Sequence, residues 1–290
     1  MKSSLFIINP VAGNGKGIEY IEKINEEMTK RNQDYDIYIS ENKKSIGLYL
    51  SNLEKKYDAI IGVGGDGTIN DIVNNIYNKD IKIGIIPLGS GNDFLRNFNR
   101  KFDLNLLLDN LIADNYIEYD IWKANERKFF NVFSVGVDGE ILISRNNRKA
   151  NTKGKYLIMA IKKLIGYKTR DIEVKIDGLK ISRKAYLFTV CNGSYFGSGM
   201  KIMPGAELND GELDICIVNN CSKAKILFLF PSIYWGGHLK FKGIVEHYRA
   251  KEIEINCQEK LPLDLDGEII GETPVKIKIS EEKMKMIKFW

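Results

Sequence analysis

At 290 residues, 44% of them apolar, the chain has material for two domains with sizeable cores and lies far from a disordered composition. A dispersed net charge of +5 suits anionic phosphates or an anionic membrane surface and is too small to point to nucleic acid. Two histidines and four isolated cysteines (Cys191, Cys216, Cys221, Cys257) argue against His-based zinc sites and against Ser-His or Cys-His catalysis.

The thiols, with no secretory signal, imply a reducing cytosol. No apolar run approaches the roughly 18–20 residues that span a bilayer, so the expectation is a soluble or peripheral protein. Residues 5–8 form an unbroken apolar run, the pattern of a strand buried on both faces of a parallel sheet. It breaks at Asn9-Pro10-Val11-Ala12-Gly13, and a helical pattern follows over residues 18–28. A second strand over 35–39 ends at Ser40, and a third over 58–61 leads into Gly62-Val63-Gly64-Gly65-Asp66-Gly67-Thr68. A helix over 69–77 and a strand over 81–86 come next, closing on Pro87-Leu88-Gly89-Ser90-Gly91-Asn92-Asp93-Phe94. Strands separated by single helices predict a doubly wound α/β domain, which binds its ligands beyond the carboxyl ends of the strands.

After residue 120 the rhythm changes to short β-rich runs, at 129–135, 172–176, 185–191, 213–218, 252–255 and 275–279. Helical stretches near 156–165 and 223–233 interrupt them, and the pattern predicts a β-sandwich or barrel-like second domain. The expected division is therefore 1–120 for the α/β domain and 121–290 for the β-rich domain.

Gly62-Val63-Gly64-Gly65-Asp66-Gly67 fits the spacing of a dinucleotide loop, but the next strand ends in Pro87-Leu88-Gly89-Ser90 and offers no acidic side chain for a ribose. The segment reads better as a cradle for a metal-chelated triphosphate: glycines admit the phosphates to backbone N–H groups, and a helix N-terminus follows. Asp66 is then placed to orient Mg²⁺ or its waters and Thr68 to donate a hydroxyl; the plain alternative is a tight turn with Asp66 as an N-cap. Asn9 to Gly13 is not a Walker A loop, because Pro10 and Gly17 stand where that motif needs Gly and Ser or Thr. Three glycine-bearing turns on one sheet edge favour one shared site.

Asn9-Pro10-x-x-Gly13, Gly64-Gly65-Asp66-Gly67-Thr68-Ile69-Asn70-Asp71 and Pro87 to Phe94, in this order and spacing, resemble the diacylglycerol kinase catalytic family. That family includes bacterial soluble diacylglycerol kinases, related phospholipid kinases and sphingosine kinases. The resemblance continues through Asn131-Val132-Phe133-Ser134-Val135-Gly136-Val137-Asp138, Leu208-Asn209-Asp210-Gly211-Glu212-Leu213 and Leu265-Asp266-Gly267-Glu268, covering essentially the whole chain. It implies a phosphofructokinase-like nucleotide domain, then a β-sandwich domain, with the active site in the cleft.

Carried over, it implies ATP contacts at Asn9, Pro10, Val11, Ala12, Gly13, Ser40, Gly65, Asp66, Gly67, Thr68, Ile69, Asn70, Asp71 and Ser90. Ser40 and Ser90 stand where the family often has Thr, and Asp71 where Glu is common. Asp210, with backbone carbonyls of Glu207 and Glu212, resembles a structural Mg²⁺ site, although Asn-Asp-Gly alone reads as a β-turn. Asp266 and Glu268 are the candidate proton acceptors, and family usage favours the glutamate. Asp93 and Asp120 resemble members of an aspartate–water–Mg²⁺ network, with a hinge-capping carboxylate the equal alternative for Asp120.

The expected function is an ATP- and Mg²⁺-dependent lipid kinase, cytoplasmic and transiently at the inner face of the membrane, with a homodimer suggested by the bacterial relatives. Residues 223–235 join lysines to an aromatic apolar stretch, read either as a helix packed on the second domain or as a peripheral membrane contact. An NAD kinase-like enzyme and a catalytically inactive nucleotide-binding regulatory module are the competing readings. The lipid-kinase type of loop at Gly89 to Phe94 opposes the first, and the intact Asp66, Asp210 and Asp266-Gly267-Glu268 oppose the second.

Overall fold

The structure is a computed structural model that describes residues 3–42, 45–76, 78, 80–148 and 153–290. In chain order it begins β1 (Ser3–Ile8), α1 (Glu19–Lys30), β2 (Asp34–Ile39), α2 (Ser45–Ser51), β3 (Ala59–Gly64), α3 (Asp66–Asn75), β4 (Lys82–Pro87), α4 (Asp93–Arg96), α5 (Leu104–Ile112) and β5 (Tyr116–Ala124). There follow β6 (Arg127–Phe129), β7 (Val132–Gly136), α6 (Val137–Arg148), α7 (Lys153–Gly166), β8 (Arg170–Ile176), β9 (Leu179–Cys191), the short β10 (Tyr195–Phe196) and β11 (Met200–Lys201), β12 (Leu213–Asn219) and α8 (Lys223–Leu229). Two 3₁₀ turns (Phe230–Trp235 and Gly237–Lys240) precede β13 (Val245–Ala250), β14 (Glu252–Cys257), β15 (Pro262–Leu265), β16 (Glu268–Glu272) and β17 (Val275–Ile287).

The chain divides into two compact units, Met1–Ile121 with Glu281–Trp290, and Trp122–Ser280. In the first, β1 pairs in parallel with β2 and β3, and β3 with β4. The apolar run of β1 is buried from Ser4 to Ile8, as a strand covered on both faces requires. Helix α1 turns Ile24 and Met28 inward, and the Asp103 side chain caps α5 by accepting from the Leu106 N–H at 3.1 Å. The expected helix at 69–77 starts earlier, at Asp66, and ends at Asn75; Tyr77 lies outside the described residues.

The last ten residues, assigned by the sequence reading to the second domain, group with the first unit. Lys285 and Met286 pair in parallel with Lys82 and Ile83 of β4. Phe289 is buried beside Phe98, Phe102 and Trp290. That aromatic cluster gives the segment an apolar reason to dock there.

The second unit is a β-sandwich-like domain. Its central strand, β9, pairs antiparallel with β8 along its first half and with β7 and β12 along its second. Alternation sorts the faces of β12: Leu213, Ile215 and Ile217 join a core with Phe133, Phe188 and Val190. Cys216 and Val218 face a second core, built with Ile141, Leu164, Ile226 and Leu229 of the helices. The expected run at 129–135 is two strands, broken at Phe130-Asn131. Helix α6 and strand β13 were not expected, and β9 begins six residues before the expected strand at 185.

Candidate active site

The register of the first sheet sets where its loops emerge. Ile8 lies opposite both Ile39 and Val63, and Gly64 lies opposite Pro87. Strands β1 to β4 therefore end together, and Asn9, Ser40, Gly65 and Leu88 leave from one edge. The Asn9 N–H donates to the Val63 carbonyl (3.0 Å) and the Ser40 N–H to Ile8 (2.9 Å). The Leu88 and Gly89 N–H groups both donate to the Gly64 carbonyl (2.7 and 3.1 Å). The three loops are thus joined through backbone hydrogen bonds.

Two glycines are dictated by close approach. A Cβ on Gly65 would stand 2.7 Å from the Gly89 Cα, so neither loop tolerates a side chain where they cross. A Cβ on Gly64 would meet Thr68 Oγ1 at 2.2 Å, because Thr68 is buried and turned back over the strand end.

Asp66 has a role the sequence did not indicate. Its Oδ2 accepts the Asp93 N–H (3.0 Å) and its Oδ1 the Phe94 N–H (3.1 Å), so it caps the next loop's helix rather than its own. Burial pushes its pKa up, while the two N–H donors oppose the shift. Of the remaining expected nucleotide contacts, Val11, Gly67 and Ser90 are exposed, and Pro10, Ala12, Gly13 and Asp71 are half-buried. The Asn9 side chain is turned into its own loop, where Oδ1 accepts the Val11 N–H at 3.2 Å. Ile69 and Asn70 are buried, Ile69 at 1% exposure and Asn70 accepting from Asn74 Nδ2 at 3.2 Å, so both serve the packing of α3. Asp93 pairs with Arg96 (3.4 Å), and the buried Asp120 pairs with Lys283 (2.9 Å).

In the second unit Asp266 and Gly267 form a two-residue hairpin turn between β15 and β16, with φ of +49° and +86°. Asp-Gly suits a turn whose two central residues both need positive φ. The Asp266 carboxylate accepts the N–H groups of Phe130 (3.3 Å) and Val132 (2.8 Å), pinning the turn to the break between β6 and β7. Glu268, at 15% side-chain exposure, faces Arg127 Nη2 at 3.3 Å.

One strand back, Asp264 Oδ1 accepts the Gly267 N–H (2.9 Å), and Asp264 is the register partner of Ser134. Ser134 donates its hydroxyl to Asp138 Oδ2. Burial pushes Asp138 up to about 7, and burial together with the Asp138 charge pushes Asp264 well up. Both carboxylates line a cavity of about 980 Å³, open mouth included. Its walls are otherwise mainly apolar, with Ile141, Leu164, Leu187, Ile226 and Ile233 among them.

A family model described as the diacylglycerol kinase catalytic domain matches residues 3–124. Another, the YegS C-terminal NAD kinase beta sandwich-like domain, matches residues 131–288. A diacylglycerol kinase of Staphylococcus saprophyticus subsp. saprophyticus is 30% identical over 228 residues, covering 77% of this chain and 74% of that protein. The chain belongs to the diacylglycerol kinase catalytic family.

A diacylglycerol kinase of Staphylococcus haemolyticus is 28% identical over 278 residues, covering 94% of this chain and 84% of that one. A crystal structure of a candidate diacylglycerol kinase from Bacillus anthracis str. Sterne superimposes with a TM-score of 0.81 at 26% identity, covering 99% of this chain and 94% of that one. The sequence reading of a diacylglycerol kinase family member, with an α/β domain and a β-sandwich domain, is borne out.

Against that family background the Asp210 turn has its own character. Asp210 Oδ1 accepts the Glu212 N–H at 3.1 Å, while the Arg249 guanidinium reaches Asp210 and also Glu212 (3.1 Å) and Asp214 (3.7 Å). The negative charge that a structural Mg²⁺ would neutralise is thus already countered from β13, and the carboxylates fit a guanidinium. Glu207 is exposed on the same loop. No group of three or more His, Cys, Asp or Glu suited to a metal occurs among the described residues.

Sequence reasoning missed Arg127, Asp138 and Arg249. Asp138 lay inside a quoted motif without a role. Arg249 shows its meaning only through the cross-strand register Asp214↔Arg249.

Proposed function

We propose that the chain is an ATP- and Mg²⁺-dependent lipid kinase that transfers the γ-phosphate of ATP to the hydroxyl of a membrane lipid such as diacylglycerol. The observation that carries this reading is the cavity of the second unit, which is mainly apolar and reaches Asp264 and Gly267 of the Asp264–Glu268 hairpin. A mainly apolar pocket with a few convergent polar groups is how a lipid tail and a reactive headgroup are bound together.

On the donor side, the bound nucleotide supplies the phosphoryl group, with Mg²⁺ countering its charge. Gly65, Gly67, Ser90 and the N-terminal end of α3 are suited to hold it, since backbone N–H groups and the helix dipole favour anions. Phosphoryl transfer leaves the protein mainly positioning and charge stabilisation to do. On the acceptor side Glu268 takes the hydroxyl proton. Both Asp266 oxygens already accept backbone N–H groups, whereas Glu268 faces the guanidinium of Arg127.

Phe228 (74% exposed) and Trp235 (67% exposed) flank cavity-lining residues Leu229 and Tyr234 on a segment with Lys223 and Lys225. Ile226, Leu229 and Ile233 are buried on the same segment, so one face packs on the domain while the other is left for an anionic membrane surface. No helix among the described residues is long and apolar enough to cross a membrane.

Incubation with labelled ATP, Mg²⁺ and a panel of lipids beside NAD tests the proposal. Label in a hydroxyl-bearing lipid is expected. Label in NAD, or in nothing across a broad panel, overturns it.

A further inference from the structure

We propose that Asn192 is a positioning residue for the proton acceptor, acting with Trp122 through the Phe130-Asn131 break and Asp266 on the Glu268–Arg127 pair. The role rests on the lipid-kinase reading, with Glu268 as the base, and adds to it the buried groups that fix where that carboxylate stands.

The break between β6 and β7 takes Phe130 and Asn131 out of the strands, and both are buried. Buried backbone groups without partners are costly, so each must be paired by something other than the ladder. Asn192, the first residue beyond β9, does this for the carbonyls. Its Nδ2 donates to the Phe130 carbonyl (2.8 Å), and its N–H and that of Gly193 donate to the Asn131 carbonyl (2.8 and 2.9 Å). The Asn131 side-chain amide donates in turn to the Tyr195 carbonyl at 2.8 Å. The N–H groups of the break go to the hairpin. Asp266 accepts those of Phe130 and Val132 and returns its own N–H to the Val132 carbonyl at 2.9 Å. Phe130 is thus gripped by its carbonyl from Asn192 and by its N–H from Asp266.

The amide of Asn192 is itself oriented. Trp122 Nε1 donates to Asn192 Oδ1 at 2.9 Å. An indole N–H can only donate, so the amide oxygen must face Trp122 and the NH₂ must face Phe130. Both side chains are fully buried, and Trp122 belongs to the apolar core with Phe129, Phe133, Val190 and Leu265. Bulk water is not at hand there to replace a lost partner. A fully satisfied polar linkage inside such a core rigidifies one arrangement, and removing one member is correspondingly costly.

The linkage ends at both members of the ion pair. Trp122 of β5 lies opposite Phe129, and Ala124 opposite Arg127, so the strand that carries the indole also sets Arg127. On the hairpin, Asp266 stands two residues before Glu268, whose Oε2 meets Arg127 Nη2 at 3.3 Å. Carboxylate and guanidinium therefore arrive from different strands, β16 and β6. Their meeting depends on the break that Asn192 and Asp266 hold from either side. A misplacement of about 1 Å can cost about 100-fold in rate, so a loosened grip reaches the reaction.

The test is steady-state kinetics of the full chain with labelled ATP, Mg²⁺ and dioctanoylglycerol in mixed micelles, beside amide hydrogen exchange. Asn192→Ala is expected to lower kcat/KM for the lipid about 100-fold and to lower protection at the Phe130 and Val132 amides, with the KM for ATP within about 2-fold of wild type. Trp122→Phe keeps an aromatic ring in the core and removes the N–H; it is expected to cost about 10-fold, the worth of one buried hydrogen bond. Placed on top of Glu268→Gln, Asn192→Ala should cost no more than about 3-fold further, because the group it positions is already gone. Loss of folded protein would multiply the two effects instead. Where Asn192→Ala yields too little folded protein, Trp122→Phe alone and with Glu268→Gln carries the same comparison.

Full multiplication of the single losses in the double variant overturns the positioning role and leaves Glu268 as the base. Unchanged kcat/KM with unchanged protection at Phe130 in Trp122→Phe does the same. Near-normal turnover of Glu268→Gln overturns the base assignment, and the positioning role falls with it. Absence of label from dioctanoylglycerol with the wild type overturns the lipid-kinase reading itself.

Discussion

Asp66→Asn is the substitution that separates two roles for the central aspartate of the Gly-rich loop. In the structure its two carboxylate oxygens take the Asp93 and Phe94 N–H groups at 3.0 and 3.1 Å. Asparagine keeps one oxygen and turns an NH₂ toward the other donor. One hydrogen bond to a charged acceptor, worth about 1.5–3 kcal/mol, is lost, and a part-buried N–H is stranded at a cost of about 1–3 kcal/mol. Burial disfavours the native carboxylate, as its raised pKa records, so part of that loss is returned by a neutral side chain. The net expectation is a destabilisation of about 2–3 kcal/mol, concentrated in the segment from Gly89 to Arg96. Guanidinium unfolding gives the total, and amide hydrogen exchange at Asp93 and Phe94 gives its location. Protection at those two amides should fall, and the KM for ATP should rise because the third loop is no longer held against the second. A stability change under about 0.5 kcal/mol with unaltered exchange at both amides refutes the assignment. Such a result, with an altered Mg²⁺ dependence of turnover, restores the sequence expectation that Asp66 serves a metal.

Glu268→Gln is expected to lower kcat about 10²–10⁴-fold, the usual contribution of a general base, with little change in melting temperature. Asp266→Asn should instead lower the melting temperature by loosening the hairpin, and equal losses of kcat without destabilisation in both variants would contradict the division of roles. The thermal midpoint of the wild type should not respond to Mg²⁺ or to a chelator, because Arg249 already holds Asp210 and Glu212. Arg249→Ala should cost no more than about 1 kcal/mol at this half-exposed site and make the midpoint rise with added Mg²⁺. A chelator-sensitive wild type would oppose this. In liposome flotation with anionic vesicles, Phe228→Asp and Trp235→Asp should stay in the bottom fraction while melting as the wild type does, since both side chains are exposed. Flotation equal to the wild type would assign the segment to packing alone.

The strands and helices of the first unit were legible because their signals are local. An unbroken apolar run such as Leu5-Phe6-Ile7-Ile8 has few homes other than a covered parallel strand, and glycine clusters at strand ends are the punctuation of a βα turn. The second unit was legible only as a class. The turn that separates β6 from β7 at Phe130-Asn131 is held by the Asp266 carboxylate, 134 residues from Val132, and no local pattern announces it. The docking of Phe289 against Phe98 and Phe102 likewise depends on partners about 190 residues away in sequence, which no local pattern announces. Site residues divide the same way. Type and spacing named Asp66, Asp266 and Glu268, but their partners, and with them their roles, come from tertiary structure.

Asp66-Gly67 and Asp266-Gly267 show one device used twice. In each, an aspartate inside a glycine turn directs its carboxylate to two backbone N–H groups of a segment distant in sequence, Asp93 and Phe94 in the first unit and Phe130 and Val132 in the second. Each aspartate therefore fixes a neighbouring loop, and in each the following glycine is exposed. An aspartate so engaged has less capacity left for a metal or a proton, which shifts the expected chemistry to groups that these latches hold in place. Under the proposed function those are the backbone of Gly65 and Gly67 and the N-terminal end of α3 in the first unit, and Glu268 in the second. Replacing either latch should thus act on the reaction through position, raising KM and lowering protection of the captured amides together, whereas replacing Glu268 should lower kcat and leave those amides protected.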